Sequence, residues 1–137
     1  MKPLVVFLGV DDDGRSRMAA AVFAHRAGRR AEAVSVSGRR VEPGLVVRGV
    51  LAEAGIDLPA CCSEEPSARL LRRADVVVVM GYDGQVRLPG TRRVEDWCID
   101  DPRGKHAEAV RCIRDALDRR CQRLLAGLGV GALVMRA

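Results

Sequence analysis

The chain has 137 residues, 48% of them apolar and 30% charged, with a formal net charge of +5, a mixture that suits one domain able to bury about two-thirds of its unfolded surface. It holds no apolar run of the roughly eighteen residues a membrane span requires, and Met1-Lys2-Pro3 leads directly into a strand instead of a basic-then-apolar leader, so a cytoplasmic protein is expected. The positive charge comes from arginines scattered along the whole chain, and aromatic residues make up only 3% of it, which argues against the basic stripe and stacking platform of a nucleic-acid reader.

The first element is the apolar run Leu4-Val5-Val6-Phe7-Leu8, which reads as a strand covered on both faces. It feeds the turn Gly9-Val10-Asp11-Asp12-Asp13-Gly14-Arg15-Ser16, and a helical pattern runs from Arg15 to Ala27. A strand, a tight turn and a helix start in this order aim backbone N–H groups and the positive end of the helix at one point, the geometry of a phosphate or arsenate site. Five residues separate Gly9 from Arg15, a spacing at which a strand-end nucleophile and a guanidinium fork reach opposite sides of one tetrahedral oxyanion. Position 9, however, carries no side chain.

Further apolar runs at Val34 to Val36 and Val76 to Val79 alternate with helical patterns, so a parallel α/β sheet is expected. The last helix spans Glu108 to Leu125 and places Val110, Ile113, Leu117, Cys121, Leu124 and Leu128 on one stripe, with arginines and aspartates opposite. Beyond it, residues 129–137 form an apolar tail that predicts either packing on the domain or a self-association contact. Residues 1–128 then constitute the domain proper.

Gly9 to Ser16, Val34-Ser35-Val36-Ser37-Gly38, Val41-Glu42-Pro43, Leu51-Ala52-Glu53-Ala54-Gly55, Ala74 to Gly81 and Trp97-Cys98-Ile99-Asp100-Asp101-Pro102 together resemble the low-molecular-weight protein tyrosine phosphatases and the arsenate reductases that share their fold. The resemblance implies a three-layer sandwich, a four-stranded parallel sheet with helices on both faces. It also implies a thiolate at position 9, an oxyanion loop made by Val10, Asp11, Asp12, Asp13, Gly14, Arg15 and Ser16, and Asp101 as general acid. Gly9 stands where the family cysteine stands and supplies no nucleophile, so the family reaction is not expected here. The reductase branch adds two cysteines after the third strand, but Met80 to Gly90 contains none. Leu88-Pro89-Gly90, Trp97 and Asp100-Asp101-Pro102 still favour descent from that branch.

Asp11, Asp12 and Asp13 further oppose an anion: at about 5 Å and an effective dielectric near 20, each carboxylate opposes it by roughly 3 kcal/mol before relaxation. Weak phosphate binding, or none, is expected. The plainest role for these residues is a solvated turn that caps the helix. Asp11 and Asp13 with Asp100-Asp101 could instead hold magnesium, and Asp11-Asp12-Asp13-Gly14 is similar to the first motif of haloacid-dehalogenase-type phosphatases, with Ser37 as a second motif. That scheme has no well-placed lysine, since Lys2 comes too early and Lys105 follows the acidic pair. No metal or cofactor is assigned.

Cys61, Cys62, Cys98, Cys112 and Cys121 lack metal-ligand spacing; Cys121 reads as core and Cys61-Cys62 as the most reactive pair. His25 and His106 read as surface or packing residues. The chain is therefore expected to be a catalytically degenerate scaffold retained for binding or regulation, with a protein partner or a second copy of itself. The alternative is an enzyme that uses Asp11, Asp13, Asp101 and Tyr82 with Arg15 for a different reaction in the old cleft, or a magnesium-dependent aspartate phosphatase.

Overall fold

The computed structural model describes residues 2–9, 14–36, 43–58, 63–64, 67–80 and 93–129. The strands are β1 Leu4–Gly9, β2 Glu32–Val36, β3 Ser63–Glu64, β4 Val76–Met80 and β5 Val94–Asp96. The helices are α1 Arg15–Ala27, α2 Leu45–Glu53, α3 Ala68–Arg73 and α4 Ala107–Gly127. Every pairing is parallel, and the strand order is β3-β2-β1-β4-β5. The expected four-stranded parallel sheet is present as β2-β1-β4-β5, and the two-residue β3 extends it at the β2 edge.

The central strands are the most apolar ones for a physical reason. β1 and β4 are flanked on both sides and buried along their full length, so β-branched and aliphatic residues that pack on a pleated surface are favoured at every position. Alternation then divides them between two faces. Val5, Phe7, Val76, Val78 and Met80 join one cluster with residues of α1, α2 and α4, while Leu4, Val6, Leu8, Val77 and Val79 join a second with Leu70 and Ala74 at α3. Helices cover both faces, as expected.

The α4 stripe behaves as its spacing predicts: Val110, Ile113, Leu117, Cys121 and Leu124 are buried, and Leu128 packs against the same cluster while partly exposed. Burial pushes the Cys121 thiol well above its ordinary range, so it behaves as a small core hydrophobe. His25 is exposed, and His106 is the N-cap residue of α4, with no capping bond from its side chain. At the start of the sheet, Leu4 N donates to Asp75 Oδ2 at 2.8 Å and Asp75 N donates to Leu4 O at 2.8 Å, locking β1 to β4 in register.

Among the described residues, no helix is long and apolar enough to cross a membrane. The tail beyond Gly129 lies outside the described residues.

Candidate functional site

Because all strands run the same way, their carboxyl ends share one edge of the sheet. The chain steps from β1 outward through β2 to β3 and then returns to the opposite side of β1 as β4, so the crevice of such a sheet opens at the ends of β1 and β4. There Gly9 closes β1, buried and paired in register with Met80. Gly14 begins the next described stretch at φ +83°, a left-handed backbone that favours glycine. It is also the N-cap residue of α1; Asp11, Asp12 and Asp13, whose side chains were expected to cap this helix, lie outside the described residues.

Arg15 opens α1 and reaches across the crevice: its Nη1 donates to Ile99 O at 2.9 Å. Ser16 is buried in the same turn, as is Arg17. The bond to Ile99 draws the segment after β5 to the start of α1, so Asp100 and Asp101 sit at the same end of the fold as Gly9 and Arg15. Asp101 is partly exposed and turned toward its own loop. Its Oδ1 accepts from Arg103 N at 2.9 Å and its Oδ2 from Arg103 Nη2 at 3.3 Å, an Asx-type turn closed by an ion pair.

Three aromatic residues hold these pieces in place. Phe7 lies two residues before Gly9, Trp97 two residues before Ile99, and Phe23 two helical turns beyond Arg15. The Phe7 ring contacts Phe23 at 5.6 Å and Trp97 at 5.7 Å between centroids, tilted or edge-on as the ring quadrupoles prefer. Trp97 is completed by Nε1 donating to Glu95 Oε1 at 2.9 Å and by the Arg120 guanidinium 5.8 Å from its ring centroid.

Residues 4–132 match the family model described as low molecular weight phosphotyrosine protein phosphatase. The chain belongs to this family. A Halobacterium salinarum protein provisionally named an arsenate reductase is 34% identical over 121 residues, which cover 83% of this chain and 84% of the relative. An arsenate reductase solved in its reduced state superposes with a TM-score of 0.80 at 24% identity, over 93% of this chain and 99% of the other. An arginine phosphatase from Geobacillus stearothermophilus gives 0.75 at 23% identity, over 98% of both chains. These two structural likenesses establish the phosphatase fold independently of the sequence match.

Of the predicted site residues, the structure brings Gly9, Gly14, Arg15, Ser16 and Asp101 to one end of the sheet. Val10, Asp11, Asp12, Asp13, Ser37, Tyr82, Cys61 and Cys62 lie outside the described residues. Sequence reasoning missed the acceptor of Arg15, since a backbone carbonyl leaves no mark in the residue types. It also missed Arg103, although Asp101-Pro102-Arg103-Gly104 carries a turn signature from which that contact could have been read.

Proposed function

We propose that this family member is catalytically degenerate and serves as a non-catalytic binding, regulatory or companion protein of the cytoplasm, recognising a protein partner or a second copy of itself. The observation that carries the reading is Gly9. At the buried end of β1, six positions before Arg15, the chain offers neither sulfur nor hydroxyl, and a covalent phosphoryl or arsenyl intermediate needs one. The hydrogen bond from Arg15 Nη1 to Ile99 O engages one of the five guanidinium donors with the protein itself. The aspartates at 11–13 oppose an anion.

The test has two arms. Purified protein should show no turnover of para-nitrophenyl phosphate or arsenate above a Gly9→Ala control, and calorimetry should give no micromolar phosphate binding. Robust turnover that survives removal of contaminants would overturn the reading. Restoring Gly9→Cys alone should not bring activity back, because the acidic loop remains.

A second reading keeps the cleft catalytic for another reaction, with Asp101 as the carboxylate acid or base and Asp11, Asp13 and Tyr82 as further candidates. The contact between Arg15 and Ile99 favours it, because it ties the segment that carries Asp101 to the start of α1. Asp101→Asn would abolish such an activity, whereas in the degenerate scaffold it alters only partner affinity.

A further inference from the structure

The two sides of α4 carry different chemistry. Toward α1 and α2 its charged side chains are paired, Asp118 with Arg26 and both Arg111 and Arg114 with Glu53. Toward the segment after β5 the helix presents Ala109, Cys112, Ala116, Arg119, Arg120 and Arg123, which recur at three- and four-residue steps and so share one face. Arg120 fixes that direction, since its guanidinium lies 5.8 Å from the Trp97 ring centroid. Arg119 and Arg123 are exposed, and neither enters an ion pair among the described residues.

A groove of about 380 Å³ runs along this second side, and its lining includes Ile99 and Asp100 from the segment after β5, Lys105, and Ala109, Ile113 and Ala116 of α4. Within that lining Lys105 offsets Asp100, so the net charge beside the groove belongs to the three arginines that follow Ala116. Glu95, which accepts from Trp97 Nε1 on the same side, is already paired with Arg93. An apolar centre with a charged margin rich in arginine is the anatomy of a protein–protein contact.

We infer that this face docks an acidic segment of a protein partner, with apolar side chains of the segment in the groove and its carboxylates on Arg119, Arg120 and Arg123. A guanidinium fork matches a carboxylate in two parallel hydrogen bonds, so arginines grouped within five positions favour Asp- or Glu-rich chain over a single small anion. A second copy is disfavoured, because a two-fold contact through the same patch would set these cations against their own kind. A nucleic acid is disfavoured too, since Trp97 is buried and offers bases no exposed ring on which to stack. The inference rests on the reading of the chain as a binding protein, and it gives that reading a surface and a partner chemistry without using Gly9, Arg15 or Asp101.

The test selects displayed random peptides about twelve residues long, enough for a helix to follow the roughly 15 Å from Ala109 to Arg119, on the full chain. Enriched sequences should combine Asp or Glu with apolar residues, and a synthetic peptide of the consensus should bind more weakly as salt rises past about 0.1 M, where the screening length falls below about 10 Å. Amide NMR shifts on adding that peptide should concentrate at residues 98–100 and 109–123. Arg119→Glu with Arg123→Glu should weaken binding by about 10-fold or more. Ala116→Trp, which fills the groove, should do the same, whereas Arg72→Glu with Arg73→Glu on α3 should change it by less than about 2-fold. No enrichment, enrichment of neutral or basic sequences, shifts centred elsewhere, or equal weakening by the α3 pair would overturn the inference. So would shifts at this face on concentrating the protein alone, which would assign it to a second copy. The shifts on the unaltered chain decide the matter even if a variant folds poorly. Turnover of para-nitrophenyl phosphate is read separately, so a failed docking face and a failed degenerate crevice give different results.

Discussion

The face of the sheet that carries Val5 and Phe7 packs beneath α1, α2 and α4, whereas the face that carries Leu4, Val6 and Leu8 is met, among the described residues, by the six-residue α3. The first face holds three of the chain's four aromatic residues in one string, and that string anchors the segments whose other ends build the crevice. The second face contributes burial through Val36, Leu70 and Ala74, and its cluster includes neither aromatic residues nor Ile99. Stability and site geometry are thus coupled on one side of the molecule and separable on the other.

Phe23→Ala gives the largest expected effect. Phe23 is fully buried against Phe7, and losing it should cost about 3–5 kcal/mol in urea unfolding, with a loosened contact between Arg15 and Ile99. Leu70→Ala on the other face removes a side chain 5% exposed and should cost about 2 kcal/mol, at the low end for such truncations because the short helix can settle inward. An equal cost for the two would break the comparison. Arg15→Ala should cost about 1.5 kcal/mol or more, since it removes at least the charged-donor hydrogen bond to Ile99 O, and should raise amide exchange at residues 99–103 while leaving α3 unchanged.

Ser67→Ala sharpens the contrast from the thin side. The Ser67 hydroxyl accepts from Leu70 N at 3.1 Å as the cap of α3, so its loss should cost about 1 kcal/mol in thermal or urea unfolding. The smallest effect concerns Arg26 and Asp118, which join α1 to α4 through bonds of 3.0 and 2.7 Å. Burial pushes the Asp118 carboxyl up, but the hydrogen bonds from Arg26 and Gln122 outweigh it and hold the group below its ordinary value of 3.8. A depressed carboxyl contributes stability that is fully present above the unfolded value and lost as pH falls through the folded one. Unfolding midpoints should therefore drop more between pH 4 and pH 2 in the parent than in Asp118→Asn. The difference should stay below about 1 kcal/mol, since the pair is partly solvated.

Much of this architecture was legible beforehand. The helix expected from Arg15 to Ala27 is α1 to the residue, because a glycine turn marks its start and a second glycine, Gly28, follows its end. The runs at Leu4 and Val76 became the two central strands, since a strand buried on both faces must be apolar throughout. The stripe on the last helix was equally plain from its period. By contrast, β5 reads Val94-Glu95-Asp96 and is paired on one side only among the described strands, so no apolar run is required, and β3 is two residues long. At the crevice, Gly9 and Arg15 stood out by their spacing. What Arg15 grips, and the clasp that Arg103 closes on Asp101, depend on chain segments more than eighty residues apart and on a local turn, neither of which hydrophobic periodicity encodes.

The paired bonds between Leu4 and Asp75 also bear on how the chain is made. They join residues 71 positions apart in sequence, so the two innermost strands cannot zip together on a ribosome until β4 has left the exit tunnel. Until then β1 can pair only with β2, and its other edge stays open, which makes the nascent half-chain the stage at which chaperones would have the most to shield.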